Sequence, residues 1–336
     1  MLRAAIVGLG SWGQVLVDSV QADGVPKGDL IRFTRAITRT PANAQAFADR
    51  QGLAISKHLE YALGPDIDAV VIASINSVHV EQIVAAATAG KPVFVEKPLA
   101  FSVSEATAAA AACAEAGVPL ALGHNRRFLA ATMAMKQLVA EEAIGKIVHV
   151  EGNYSSDYGF ECEPGEYWVL RDQHPIGGMS TMGVHILDMM INLVGQVSAV
   201  RAVSRRQLLT TEADDTTTLL LDFGNGASGA LSTLTITPRH WRVTLFGTRG
   251  QIEMNGYKEV TINRGEGERE VLSFPVEDME RAELEAFARA ATNREAFPLP
   301  IEQAVHNAAV LEAVIKSAAG QGAVQQVSNE GSFKMD

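Results

Sequence analysis

Cysteine and excess positive charge are what this sequence most clearly lacks. Its 336 residues include only two cysteines, Cys113 in an alanine-rich stretch and Cys162 in a polar one. A disulfide framework is therefore excluded as the basis of the fold, and a reducing cytoplasm is the expected location. The formal net charge is −11, so we expect neither nucleic acid nor an anionic membrane as a partner. A local basic pocket is still compatible with an anionic cofactor.

Long hydrophobic runs are absent as well. No apolar stretch approaches the roughly 20 residues that cross a bilayer. The start does not resemble a signal peptide, because Arg3 is followed at once by Ala-Ala-Ile-Val and then by glycines. With 47% hydrophobic and 20% charged residues, the composition is that of a globular chain long enough for two domains. A small molecule is the expected partner.

The first third of the chain alternates between short apolar runs and helical patterns. The predicted strands and helices lie, in turn, near residues 3–8, 11–21, 30–37, 41–52, 69–73, 76–90, 92–95, 102–116 and 118–122. Apolar runs without alternation are typical of parallel strands buried on both faces. The pattern predicts an α/β fold whose N-terminal domain, residues 1–124, is a doubly wound parallel sheet of the Rossmann type.

After about residue 145 the pattern changes to segments in which apolar and polar residues alternate. These predict a mostly antiparallel sheet with strands near 147–154, 197–207, 216–223, 227–235, 241–246 and 260–263. Helices are predicted near 179–193, 279–292 and 301–319. We therefore expect a second, α+β domain at 125–330, and we expect the last dozen residues, which are polar, to be frayed.

A glycine motif follows the first predicted strand. Gly8, Gly10 and Gly13 form Gly-x-Gly-x-x-Gly, with Ser11 and Trp12 inside it. In this position the first glycine permits the turn, the second lets backbone approach a pyrophosphate, and the third lets helix pack on strand. The motif predicts a dinucleotide site at the helix N-terminus. The alternative is a glycine-rich turn without a ligand.

The end of the second predicted strand bears on the choice of nicotinamide. NAD enzymes usually place a carboxylate there to bind the ribose hydroxyls, whereas this strand ends in Thr38-Arg39-Thr40. Hydroxyl and guanidinium groups suit a 2′-phosphate. We therefore expect NADP as cofactor, with NAD less favoured. The alternative is a solvated arginine in a loop.

Polar residues also follow the other predicted parallel strands, at the edge where open α/β sheets bind ligands. They are Ser74, Ile75, Asn76 and His79 after one strand, Glu96 and Lys97 after the next, and His124, Asn125, Arg126 and Arg127 after the last. A lysine at this edge can hydrogen-bond a hydroxyl or carbonyl group, and burial lowers the pKa of an amine. A surface lysine in a loop is the alternative for Lys97.

One helix of the second domain carries a candidate proton-transfer group. Thr181, His185 and Asp188 are spaced to share a helix face. His185 could relay a substrate proton, and Asp188 could orient its ring or serve local packing. The alternative is a structural histidine. A metal site built from Glu161, Cys162, Glu163, His174 and His185 has no recognised ligand spacing, so no metal is expected.

These residues together resemble the Gfo/Idh/MocA oxidoreductases. The resemblance covers nearly the whole chain. It includes the glycine motif, Ser74–His79, Ala89–Pro92, Glu96–Ala100, Gly123–Phe128, Gly177-Gly178, Gly183–Asp188, Gly247–Gly250 and Ala313–Ala318.

The resemblance implies a large open sheet in the second domain, through which such proteins pair as homodimers or homotetramers. It implies that Lys97 lies beside nicotinamide and substrate, often with a cis bond before Pro98, and that His185 is the acid/base residue. Ser74, Asn76, His79 and Glu96 would line the cofactor, with Ile75 among them. Asn125 and Arg126 would lie near nicotinamide or substrate, and Trp168 and Arg171 would border the same cleft. Where sugar and polyol dehydrogenases of the family often have an aspartate, this chain has Thr181.

The expected function is hydride transfer between NADP(H) and a carbonyl or hydroxyl group of a sugar, polyol or sugar acid. Candidate substrate contacts lie in the segment 154–171, which holds Tyr154, Asp157, Tyr158, Tyr167 and Trp168. A second possibility is dehydrogenation of a carboxylated dihydrodiol or semialdehyde, with Arg126 and Arg127 holding the carboxylate. A third is an NADP-binding regulator without catalysis. Glycoside hydrolysis with bound NAD is disfavoured by the Thr38–Thr40 turn.

Overall fold

The computed structural model describes residues 1–265, 267, 269–293 and 295–328. The chain forms two compact units. Unit 1 comprises Met1–Asn125 and Asp278–Val305, and unit 2 comprises Arg126–Glu277 and the chain from His306 onward. Within the described part of the chain, no helix combines the length and the apolar character needed to span a membrane.

Unit 1 begins with strands and helices in alternation. They are β1 (Leu2–Val7), α1 (Ser11–Val20), β2 (Gln21–Ala22), β3 (Val25–Pro26), β4 (Ile31–Ile37), α2 (Pro41–Gln51), β5 (Ala54–Ser56), β6 (Ala69–Ile72), α3 (His79–Thr88), β7 (Val93–Glu96), α4 (Val103–Glu115) and β8 (Leu120–Gly123). Six of the strands form one parallel sheet in the order β5-β4-β1-β6-β7-β8. Its strands are buried on both faces because helices cover both sides. The predicted Rossmann-type sheet is confirmed, and its strand order reverses at β1, where such sheets bind dinucleotides.

Unit 2 contains the remaining strands and most of the remaining helices. The elements from residue 126 onward are α5 (Ala130–Ala140), β9 (Ile147–Ser155), α6 (Val184–Val194), β10 (Val197–Arg205), β11 (Thr216–Phe223), β12 (Ser228–Leu234), β13 (His240–Gly247), β14 (Gly250–Asn255), β15 (Glu259–Asn263), β16 (Arg269–Ser273), α7 (Met279–Asn293), α8 (Ile301–Ala319) and β17 (Gln325–Gln326). Nine strands form a sheet in the order β16-β15-β14-β13-β9-β12-β11-β10-β17. Every neighbouring pair is antiparallel except β12 with β9. The predicted large, mostly antiparallel sheet is confirmed.

Helix α7 lies in unit 1, although the predicted division of the chain was continuous, at 1–124 and 125–330. Its Leu284 and Phe287 are fully buried in the unit 1 core. The Phe287 ring lies 5.8 Å from that of Phe94 on β7. The hydrophobic face of α7 therefore completes the core of the parallel sheet, a long-range contact that sequence order does not reveal.

Local differences from the predicted elements have local causes. The predicted helix at 179–193 begins with a π-helical turn at Met179–Gly183 before α6 starts. A Cβ on Gly178 would lie 2.5 Å from the methyl group of Thr235, which directly follows β12. The start of this turn therefore packs closely against the end of β12. The prediction missed α5, β14, β16 and the short strands β2, β3, β5 and β17. Of the last dozen residues, predicted to be frayed, Gln325 and Gln326 pair with β10, and 329–336 lie outside the described residues.

Candidate active site

The glycine motif of unit 1 shows three different reasons for glycine. Gly8 has a φ of +100°, and a Cβ on it would lie 2.4 Å from the Ala73 carbonyl oxygen. A Cβ on Gly13 would lie 1.9 Å from the Gly8 carbonyl oxygen. A Cβ on Gly10 would meet no atom of the described residues within 4 Å, apart from its own neighbours in sequence. Close packing therefore requires glycine at positions 8 and 13. At position 10 it does not, because the Cβ position faces open space.

That space adjoins the start of α1. Gly10 is the N-cap residue, no side chain caps the helix, and its first turn carries no acidic residue. The backbone N–H groups of a helix start attract anions. Ser11 is exposed beside them, and the Trp12 ring packs on the unit 1 core. The loop thus has the shape and polarity to hold a pyrophosphate.

The end of β4 is a second potential anion contact. Thr38 is half-buried and donates its N–H to the Ser56 carbonyl at 3.0 Å. Arg39 and Thr40 are exposed. The Arg39 guanidinium makes no hydrogen bond or ion pair with any residue that the structure describes. Pro41 starts α2, whose first turn has no acid. A phosphate at this position would meet a cation and no carboxylate on these residues.

His79 connects the turns that follow β6 and β7. Its Nδ1 lies 3.0 Å from the Pro98 carbonyl oxygen and its Nε2 lies 3.2 Å from that of Ser74. Burial lowers its pKa, and the nearby charge of Lys97 acts in the same direction. Because the ring is fully buried and contacts backbone on both sides, His79 holds the turn that carries Lys97. Ile75 and Asn76, in the turn after β6, are half-buried.

Lys97 directly follows β7, and its peptide bond to Pro98 is cis. The side chain is half-buried. Its backbone N–H donates to the Glu96 carboxylate at 3.3 Å, and Glu96 itself is 6% exposed. Since β1, β6, β7 and β8 are parallel neighbours, the glycine motif, Ser74, Glu96 and Lys97 lie at one edge of the sheet.

Asn125, at the end of unit 1, has a partner that sequence reasoning missed. Its side-chain amide donates to Glu280 Oε1 at 2.8 Å, across a separation of 155 residues. Glu280 is in the first turn of α7. The contact ties the segment after β8 to α7, and nothing in the local sequence indicates it.

His185 is held on unit 2 by the packing of α6 on β9. A Cβ on Gly152 would lie 2.3 Å from Ile186 and 2.6 Å from Met190, so this glycine lets the helix sit directly on the sheet. His185 is 5% exposed, and its ring centroid lies 6.4 Å from that of Tyr154 on β9. The helix thus places the imidazole beside a phenol.

Thr181, one turn before His185, is bound to a tyrosine. Its hydroxyl lies 3.0 Å from the Tyr158 hydroxyl and donates to the Gly178 carbonyl at 3.2 Å. Burial raises the pKa of Tyr158 to about 12. The pair therefore stays neutral, and where relatives often have a carboxylate this chain offers two hydroxyl groups.

Arg126 and Arg127 have different surroundings. Arg126 Nη2 donates to the hydroxyls of Tyr154 and Tyr257, at 3.4 Å and 3.2 Å. Arg127 instead binds Asp188 through two hydrogen bonds of 2.8 Å and 2.7 Å, and both side chains are at most 3% exposed. The prediction that the two arginines together hold a substrate carboxylate is therefore wrong, since Arg127 already binds one.

Asp188 also accepts a hydrogen bond from Asn307 on α8, at 2.8 Å. Of the two roles left open for Asp188, these contacts support local packing. The buried pair joins the segment before α5 to α6 and α8.

Three other predicted substrate residues lie in or beside the loops after β9. Asp157 is exposed. Trp168 is 42% exposed and stacks on His174 with ring centroids 5.8 Å apart. Arg171 pairs with Asp214 at 3.0 Å and donates to the Glu212 carbonyl. Arg171 thus binds the loop before β11, a contact that supports folding of that loop. Among the described residues, no three His, Cys, Asp or Glu side chains cluster so as to hold a metal ion.

Comparison with known proteins shows which family the chain belongs to. The model of an oxidoreductase family with an NAD-binding Rossmann fold matches residues 2–124. That of the GFO/IDH/MocA C-terminal domain matches residues 132–253. The chain belongs to the Gfo/Idh/MocA family.

Its relatives include levoglucosan dehydrogenase of Pseudarthrobacter phenanthrenivorans, 31% identical over 57% of this chain and 56% of the relative. Another is scyllo-inositol 2-dehydrogenase (NADP(+)) IolW of Bacillus subtilis. It is 29% identical over 48% of this chain and 44% of the relative. The match therefore spans about half the length of these curated relatives. A solved levoglucosan dehydrogenase, in complex with NADH and levoglucosan, has a TM-score of 0.88 at 22% identity, covering 98% of this chain and 100% of its own. This likeness shows that the fold of that structure is shared over 98% of this chain.

Proposed function

We propose that this protein is an NADP(H)-dependent oxidoreductase that acts on a carbonyl or hydroxyl group of a sugar, polyol or sugar acid. The observation that carries the proposal is the difference between Gly10 and its neighbours. Packing requires glycine at positions 8 and 13, whereas a Cβ on Gly10 would meet none of the described residues within 4 Å beyond its own neighbours in sequence. Glycine at position 10 is explained by a ligand that approaches the backbone, as a pyrophosphate does.

The preference for NADP rests on the end of β4. Arg39 is exposed, and no carboxylate lies among Thr38–Thr40. A guanidinium pairs with a phosphate through charge-assisted hydrogen bonds, whereas a ribose hydroxyl gains less from it. Thr38 and Thr40 would add hydroxyl donors.

The chemical roles are assigned by residue type and position. When bound, the nicotinamide supplies or accepts the hydride. Lys97 would hydrogen-bond the substrate oxygen through its ammonium group, and His185 would move the proton of that oxygen. His79 would keep Lys97 in place through Pro98, and Asn125 would be held by Glu280. Tyr154, Thr181 and the loop around Asp157, Trp168 and Arg171 would surround the substrate.

The substrate class is supported by the names of the relatives, which refer to levoglucosan and scyllo-inositol. Both compounds are ring polyols. The two hydroxyls of Thr181 and Tyr158 suit hydrogen bonds to such a ring. A carboxylated dihydrodiol or semialdehyde remains the alternative substrate, and the choice depends on the cationic groups of unit 2.

A matched pair of glycine variants tests the cofactor site. Gly10 has a φ of −77°, which alanine adopts freely. We expect Gly10→Ala to keep the wild-type unfolding midpoint and to weaken NADPH binding at least about tenfold, since its methyl group enters the ligand space. Gly13→Ala should lower the midpoint itself, because its Cβ meets backbone at 1.9 Å. Calorimetric titration with NADPH measures the binding. Unchanged binding in Gly10→Ala would contradict the proposal.

We also propose that the protein forms homodimers or homotetramers through the nine-stranded sheet, in the cytoplasm. Val203 and Leu220, on β10 and β11, are 44% and 53% exposed on one face of that sheet. Covering them in an oligomer would remove apolar surface from water. Both cysteines are free, which suits a reducing compartment. Sedimentation of wild type and Leu220→Glu tests the interface, and an unchanged mass would count against it.

A further inference from the structure

Four side chains of unit 2 converge on one point. Arg126 and Arg239 each direct Nη2 at the hydroxyl of Tyr257, at 3.2 Å and 3.5 Å. Arg126 also donates to the hydroxyl of Tyr154 at 3.4 Å. We call Arg126, Tyr154, Arg239 and Tyr257 the arginine–tyrosine cluster. Sequence reasoning found only its first two members.

The cluster is held by the centre of the sheet. Tyr154 is on β9, Arg239 immediately precedes β13, and Tyr257 lies in the turn between β14 and β15. Trp241 pairs in register with Tyr154 and packs edge-on against Tyr257, with ring centroids 5.2 Å apart. Arg126 is only 9% exposed. Arg126 and Tyr154 are therefore prearranged by burial, whereas Arg239 is exposed and contributes a solvent-accessible cation beside Tyr257.

The cluster supplies many more donors than acceptors. Each guanidinium carries five N–H donors and no acceptor, and each phenol adds one O–H. The acceptors of the four side chains are the two phenol oxygens, which already receive the hydrogen bonds described above. A ligand that complements such a group must itself bring several acceptor oxygens close together, as a carboxylate does.

The local potential is positive although the protein as a whole is acidic. Burial raises the pKa of Tyr257, but the charge of Arg126 and the hydrogen bonds from Arg126, Tyr154 and Arg239 outweigh it, so that the pKa is lowered. With a net charge of −11, attraction of an anion to this place must come from the cluster itself.

The cluster adjoins the proposed acid/base residue within the same unit. Tyr154 contacts Arg126 on one side, and on the other its ring lies 6.4 Å from that of His185. A molecule whose hydroxyl reaches His185 could therefore extend a second group to the two arginines.

We propose that the arginine–tyrosine cluster binds a carboxylate of the substrate, so that the protein acts on a sugar acid in preference to a neutral sugar. The inference rests on the proposed function. In this proposal the carboxylate is bound by Arg126 and Arg239 instead of by Arg126 and Arg127, the pair expected from the sequence. Arg239 and Tyr257 thereby gain a role in substrate specificity.

Direct binding tests the proposal without relying on turnover. D-Gluconate, D-galactonate and D-xylonate are each compared with the corresponding neutral amide by calorimetry, with NADPH present so that no oxidation occurs. At least one acid should bind wild type about tenfold or more tightly than its amide, as expected when charge-assisted hydrogen bonds replace neutral ones. Arg239→Gln should remove most of that preference, and Tyr257→Phe should reduce it.

The matched control is Arg205→Gln, which removes an exposed arginine at the end of β10. This variant should keep the wild-type preference for the acid. If every acid binds no better than its amide, or if Arg239→Gln keeps the preference, the inference is overturned. It is also overturned if Arg239→Gln weakens NADPH but not NADH, because the cluster would then serve the cofactor phosphate. Failure of the proposed function is a separate result, in which neither nucleotide binds wild type.

Discussion

His306 makes the stability of unit 2 depend on pH in a way that can be calculated. It lies in α8, and its Nε2 accepts the backbone N–H of Val197 at 3.0 Å. The ring is 6% exposed, and burial lowers its pKa from 6.5 to about 4. The folded state therefore favours the neutral ring. In the unfolded chain the same ring binds a proton at a higher pH than in the folded protein.

The sign follows from the proton balance. Above pH 6.5 the ring is neutral in both states and the full stability is present. As the pH falls from 6.5 towards 4, only the unfolded chain gains a proton at this site, so stability is lost. One pKa unit corresponds to about 1.4 kcal/mol, so between pH 7.5 and 4.5 the loss at this site is on the order of 2–3 kcal/mol.

A variant isolates this contribution from that of the other titrating groups. His306→Gln keeps an acceptor for Val197 but cannot titrate. Its free energy of unfolding in urea, subtracted from that of wild type, should fall by roughly 2–3 kcal/mol as the pH is lowered from 7.5 to 4.5. His240→Gln, at an exposed position of the same unit, serves as the control. A wild-type-minus-variant difference that stays constant with pH would refute the reasoning.

Three further predictions concern the sites. Arg39→Ala should weaken NADPH binding about tenfold or more by removing a charge-assisted contact and should leave NADH binding nearly unchanged; equal losses would remove the basis for NADP. Lys97→Met should keep NADPH binding and lower kcat by about a hundredfold or more, whereas retained turnover would rule out the assigned role. Asp188→Asn should lower the free energy of unfolding by about 3–5 kcal/mol because it leaves Arg127 buried without its carboxylate. Arg171→Gln removes an exposed ion pair and should lower the free energy of unfolding by under about 1 kcal/mol. If Asp188→Asn and Arg171→Gln destabilise the protein equally, burial does not explain the importance of the Arg127–Asp188 pair.

The parallel sheet and its glycine motif were predictable because their signals are local. Buried strands appear as unbroken apolar runs, and the contacts that demand glycine at positions 8 and 13 form where strand meets helix. The same holds for Lys97, which directly follows a strand.

What the sequence did not reveal depends on contacts between distant residues. Glu280 and Asn125 are 155 residues apart, and α7 returns to unit 1 only because its buried face fits that core. Arg126 and Arg127 are neighbours in sequence with the same chemistry, yet one faces tyrosines and the other Asp188. Arg239 and Tyr257 carried no motif, so only the sheet register brings them to Tyr154.

The position of β9 in its sheet has a consequence for how the protein is made. Its two neighbours, β12 and β13, are both synthesised long after it, and its pairing with β12 is parallel. Until residues 228–247 have left the ribosome, β9 has neither partner, and both of its edges can pair with another chain. Non-local strand pairing of this kind is slow. Tyr154 and the groups around it therefore come together late, so a truncated product ending before β12 would be prone to aggregate and would lack the arginine–tyrosine cluster.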